Sequence, residues 1–164
     1  MPSGKPDQIN VRFVLVNQDN IGEWEEAIKE VRVHKVKFRE LIHSIKDGSA
    51  TTVLGLLEGT KEPIAEYSSF FYPGGDIKTG YLRVREKYRG YDLGYHLIDV
   101  RDKHFHPDAD KTVMVSRPKE SLVPGIMERH DYKPIPQGNW LKLGTDKAPS
   151  TKPVVRTLKR KEFA

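Results

Sequence analysis

Tyr81-Leu82-Arg83-Val84-Arg85-Glu86-Lys87-Tyr88-Arg89-Gly90-Tyr91-Asp92-Leu93-Gly94-Tyr95-His96-Leu97-Ile98 is the stretch whose reading decides the fold. Thr79 to Val84 is rich in β-formers and predicts a strand. Arg89 to Gly94 bears two glycines and reads as a loop. Leu93, Leu97, Val100 and Arg101 then recur at helical spacing, to about Phe105. A strand, a short Arg- and Gly-bearing loop and a helix present backbone N–H groups at a helix N-terminus, which suits an anion such as phosphate. Arg89 adds a bidentate charged donor. Glycine lets the backbone come close to an anion.

Working outward, Ile9 to Val16 predicts a first strand, followed by a polar turn in which Asp19 or Asn20 can cap a helix. Trp24, Ile28 and Val31, then Phe38, Leu41, Ile42 and Ile45, mark apolar helix faces. This stretch is long for one globular helix, so two are expected, with a break near residues 33–37. Thr51 to Leu57 and Ile64 to Tyr72 predict hairpin-connected strands, and 73–76 a turn. Beyond the central helix, ended by His106-Pro107-Asp108, come a strand at Lys111 to Ser116, a short helix at Ser121 to Arg129, and strands at Tyr132 to Pro136 and Trp140 to Leu143. The order β-α-α-β-β-β-α-β-α-β-β indicates an α/β (α+β) fold. Its sheet is mixed and mainly antiparallel, with helices on both faces.

Here a resemblance becomes specific. The 81–98 stretch resembles motif A of the GNAT N-acetyltransferase family, whose loop reads Gln/Arg-x-x-Gly-x-Gly/Ala. Arg89 takes the first position and Gly94 the last. Met127-Glu128-Arg129-His130-Asp131-Tyr132-Lys133-Pro134 is similar to the family's helix-to-strand segment, and the element order is the family's order. The resemblance covers roughly residues 9–143. It implies an acetyl-CoA-dependent N-acyltransferase acting on an amine, either a small molecule or a protein. The cofactor would lie between the fourth and fifth strands, with Leu82, Arg83 and Val84 along its arm and Arg89, Gly90, Tyr91, Asp92, Leu93 and Gly94 at its pyrophosphate. Three departures matter. Asp92 stands at the loop's central glycine, and it either opposes the phosphates or caps the helix. Met127 stands where a tyrosine often serves as general acid. Arg117-Pro118 follows Ser116 near a common asparagine position.

The amine must lose a proton, and Glu66 and Tyr81 are the candidate catalytic residues. Against those roles, Glu66 reads as a solvated strand side chain and Tyr81 as packing. His96 reads as surface or packing. His104, His106 and Asp108 are too sparse for a metal site, so none is expected.

The chain has 164 residues, 37% of them hydrophobic, and no cysteine, which excludes disulfides and thiolate chemistry. No segment has the length and apolarity of a membrane span, and Met1 to Pro6 lacks an apolar leader core, so a cytoplasmic protein without membrane contact is expected. The formal charge of +5 resides in the C-terminus: residues 147–164 hold six basic side chains and one acid, leaving 22 of each elsewhere. The domain reading is an N-terminal arm (1–8), a GNAT-like domain (9–144) and a basic tail (145–164). Tails of this kind are usually disordered unless a partner holds them. A second function therefore stands beside the enzyme: a catalytically inactive binding or structural component of a larger assembly, for example a virus particle, docked through its tail. A nucleic-acid anchor of Arg156, Lys159, Arg160 and Lys161 is the third.

Overall fold

The computed structural model describes residues 5–31, 35–71, 76–105, 111–115, 133–135, 139–143 and 152–161. Its first strand, β1 (Gln8–Val16), leads through a tight turn to α1 (Ile21–Val31) and α2 (Lys35–Lys46). Strands β2 (Ala50–Leu57), β3 (Pro63–Phe71) and β4 (Asp76–Val84) form an antiparallel meander. A single 3-10 turn (Glu86–Tyr88) precedes α3 (Leu93–Lys103). Then follow β5 (Lys111–Val115), β6 (Lys133–Ile135), β7 (Asn139–Leu143) and β8 (Val154–Lys159). The described strands make one sheet in the order β6-β7-β5-β4-β3-β2-β1-β8, in which only β4 and β5 run parallel.

Alternation along the central strands divides the core in two. Val11, Phe13, Val53, Ala65 and Tyr67 pack under α3 with Leu93, Leu97, Ile98 and Val100. Val14, Val16, Leu54 and Leu56 face the opposite way, against Ile21, Trp24 and Ile28 of α1 and Leu41, Ile42 and Ile45 of α2. The split of the long helical stretch and the helices on both faces are as the sequence predicts. Both faces of β3 are covered, so its first seven residues are all buried. Each large apolar side chain so enclosed contributes about 1.5–3 kcal/mol.

The turn before α1 differs from expectation in its chemistry. Asn20 precedes the helix, but its side chain accepts from Asn17 N (2.8 Å) and donates to Leu15 O (2.9 Å), tying the turn to β1. The expected helix at 121–129 lies outside the described residues, as do Ser116, Arg117, Met127 and Asp131.

The C-terminal segment departs most. Residues 154–159 are not a tail outside the domain. β8 pairs antiparallel with β1 from Gln8↔Lys159 to Phe13↔Val154. Its alternation is physical: Val154 and Arg156 are half-buried, Leu158 is 1% exposed inside the α3-side core, and Val155, Thr157 and Lys159 face out. The strand is ordered by this chain's own first strand. The expected arm also ends before residue 8, because Gln8 already belongs to β1.

Candidate functional site

A bulge opens the site. β3 and β4 pair with Ser68 opposite Tyr81 but Ser69 opposite Thr79, so Gly80 is the extra residue on β4. Parallel pairing of β4 with β5 ends at the same place: the last pair is Thr79↔Met114. Among the described residues, β4 beyond Gly80 therefore pairs with β3 alone. Leu82 and Val84 lie half-buried against the α3-side core, and Arg83 is exposed.

β4 then delivers the chain to the loop at the head of α3. Gly90 (φ 100°) and Asp92 (φ 59°, ψ 32°) both take left-handed backbone. Glycine does so freely, and aspartate is among the few other residues that adopt it routinely. Left-handed Asp92 followed by the right-handed helix turns successive N–H groups to one side, a concavity suited to an anion. The first intrahelical bond is His96 N to Asp92 O (3.1 Å), so the amides of residues 93–95 stand ahead of the helix's own i→i−4 ladder.

The loop is pinned from below. Tyr91 is 1% exposed and donates its hydroxyl to Pro6 O (2.6 Å). Tyr88 is buried and donates to Glu62 Oε1 (2.6 Å); burial, then that carboxylate, push its pKa up to about 12. Leu93 is also buried, so Tyr91 and Leu93 offer the site their main chain only. Gly94 is half-buried in the first turn, and Arg89 is exposed.

Of the two roles expected of Asp92, the structure sets aside the cap. Asp92 makes no side-chain capping bond, and its Oδ1 lies 3.4 Å from Lys161 Nζ, just beyond β8. Lys161 N also donates to Gly90 O (2.8 Å), and Lys5 Nζ donates to Arg89 O (3.0 Å). Lys5 and Lys161 thus both reach the backbone of the Arg89–Gly90 step, and Lys161 also meets Asp92. A helix N-terminus with an exposed arginine and two lysines at its loop is a donor set that fits a pyrophosphate.

Further along α3, Arg156 of β8 bridges Asp99 (2.7 Å) and meets His96 Nδ1 (3.1 Å); Lys103 reaches the same carboxylate at 3.2 Å. Burial alone would raise the Asp99 carboxyl, but these cations outweigh it and hold it below 3.8. Arg160 pairs with Asp7 (3.2 Å). Three of the four basic residues read as a tail anchor are therefore engaged within the chain. Sequence reasoning missed β8 and its contacts, although Val154, Arg156 and Leu158 alternate as strand residues do.

Glu66 is not solvated. It is fully buried on β3, on the α1/α2 face opposite Leu54. Thr52 Oγ1 donates to Glu66 Oε2 (3.2 Å) and lies 3.1 Å from Ser68 Oγ. These three buried polar residues interrupt an apolar face, and Ser68 is the cross-strand partner of Tyr81 beside the bulge. The Tyr81 backbone belongs to β4; its side chain lies outside the described residues. Among the described residues no group of three or more His, Asp or Glu could hold a metal, and no helix is long and apolar enough to cross a membrane.

The sequence matches no family model and no curated protein. The structure, however, matches many solved ones. An acetyltransferase from Thermus thermophilus aligns with TM-score 0.60 at 13% identity over 81% of this chain and 96% of that one. A GNAT-family acetyltransferase from Staphylococcus aureus aligns with TM-score 0.59 at 11% identity over 81% and 98%. Arabidopsis thaliana NAA60, in complex with acetyl-CoA, aligns with TM-score 0.57 at 12% identity over 81% and 98%. The fold is that of the GNAT acetyltransferases.

Proposed function

We propose that this chain of GNAT fold is an acetyl-CoA-dependent N-acetyltransferase, with the cofactor between β4 and β5 and its pyrophosphate at the head of α3. One observation carries the reading: β4 bulges at Gly80, where its described pairing with β5 ends, and then leads into a loop with left-handed Gly90 and Asp92, in which Asp92 is paired with a lysine. The fold supports it, since NAA60, which shares it, is a structure with acetyl-CoA.

The cofactor supplies an activated acyl carbon in a thioester. In the net reaction the amine nitrogen bonds to that carbon, the C–S bond breaks, the amine gives up a proton and the departing thiolate acquires one. The residues divide this work. Arg89 and the amides of 93–95 bind the phosphates. The main chain of Leu82 to Val84 holds the pantetheine arm as an added strand would be held. A β4 N–H beside the bulge polarises the carbonyl. Glu66 takes the amine proton, directly or through the Ser68 and Thr52 hydroxyls. The acceptor class is an amine on a small molecule, a protein N-terminus or a lysine. The test incubates the protein with acetyl-CoA and a panel of such amines, reading free thiol and product mass. Amine-dependent thiol release supports the proposal; none with any class, from a protein that retains its fold, overturns it.

A further inference from the structure

β8 is the last described strand of the chain. It lies beside β1 at one end of the sheet order, yet the chain just beyond it reaches the loop at the head of α3. We propose that Lys161 is a positioning residue of the anion site: it neutralises Asp92, so that a loop carrying an acid in its left-handed position still accepts a pyrophosphate. This rests on the acetyl-CoA reading above.

Three observations converge. First, Asp92 holds φ 59° without making a capping bond, so its side chain is not what secures the helix end. Second, Lys161 meets the loop twice, through Nζ to Asp92 and through its backbone N–H to Gly90 O, which anchors the backbone from which the half-exposed side chain reaches its acid. Third, its approach is held on both sides. Leu158 is buried in the core, Arg156 bridges Asp99 on α3, and Arg160 N donates to Asp7 O (2.7 Å). The strand anchored to β1 and α3 delivers the Lys161 backbone to the loop, so its ammonium is within reach of the acid. The Asp92 side chain is about one-fifth exposed, so its field on an anion in the loop is only partly screened once Lys161 is gone.

A merely structural strap and a charge-compensating lysine differ in what they predict. If the bridge only braces the loop, removing either partner should weaken acetyl-CoA binding. If Lys161 acts by cancelling Asp92, removing the lysine should weaken binding and removing the acid should not. Asparagine suits left-handed backbone as well as aspartate does, so Asp92→Asn changes the charge and leaves the loop geometry in place.

The experiment is a calorimetric titration of acetyl-CoA into wild type, Lys161→Met, Lys161→Arg, Asp92→Asn and the Lys161→Met/Asp92→Asn double variant, with thermal unfolding of each unliganded protein as the fold check. The expected result is a loss of about tenfold in affinity for Lys161→Met, near-wild-type binding for Lys161→Arg, equal or tighter binding for Asp92→Asn, and recovery in the double variant to within about threefold of wild type. Wild-type binding with an unchanged Lys161→Met affinity overturns this proposal alone. So does a loss in Asp92→Asn as large as that in Lys161→Met. Failure of the folded wild type to bind acetyl-CoA overturns the cofactor reading and this proposal with it.

Discussion

Arg156→Met removes the charge that ties β8 to α3 while keeping most of the side chain's apolar stem. In the folded chain the Arg156–Asp99 contact is 2.7 Å long, the Asp99 side chain is 9% exposed and that of Arg156 21% exposed. This is neither an exposed pair, worth under about 1 kcal/mol, nor a fully enclosed one, whose disruption costs about 3–5 kcal/mol. Lys103 remains at 3.2 Å to share the carboxylate. A destabilisation of about 2 kcal/mol is expected at neutral pH, which for a domain of this size lowers Tm by about 4–8 °C. The pH dependence fixes the cause. Asp99 is held below 3.8 when folded, so its contribution is present above that value and is lost as the pH falls through the lower folded pKa. The difference between wild type and variant should thus persist from pH 7 to pH 5 and narrow below pH 3.8. Calorimetric or urea unfolding across that range measures it. A difference that stays constant into acid, or one below about 0.5 kcal/mol at pH 7, would refute the reasoning.

Other outcomes test separate parts of the account. Leu158→Ala should cost about 2–5 kcal/mol, because the side chain is 1% exposed in the main core; a variant as stable as wild type would return residues 154–159 to the status of a loose tail. Glu66→Gln keeps the shape and the acceptor oxygen for Thr52 but removes the base, so kcat should fall about 10²–10⁴-fold with KM for acetyl-CoA little changed, as steady-state kinetics would report. Unchanged kcat would dismiss Glu66 from proton transfer.

The parts of the fold legible in the sequence are those written in local periodicity. Trp24, Ile28 and Val31, and Leu41, Ile42 and Ile45, announce two helices on one face, and the run Ile64-Ala65-Glu66-Tyr67 announces a strand. Arg89 and Gly94 mark the loop because they stand at the first and last positions of the acetyltransferase loop pattern that this stretch resembles. The burial of Glu66 is illegible for a physical reason: in a half-exposed strand a glutamate points to water, and only the covering of both faces of β3 encloses it. β8 is masked by its basic neighbours and by Pro153, since composition outweighs a short alternation. The pairing of Lys161 with Asp92 has no local signal at all. It exists because β1, at the start of the chain, offers β8 an edge and carries it back to α3.

The measurement that tests the central claim most directly is an amide-resolved NMR titration of the wild-type chain with acetyl-CoA. The account predicts saturable shifts concentrated on the backbone N–H groups of residues 90–95 and of Leu82 to Val84, with α1 and α2 unmoved. Shifts confined to other surfaces, or no shifts at millimolar acetyl-CoA, would contradict it.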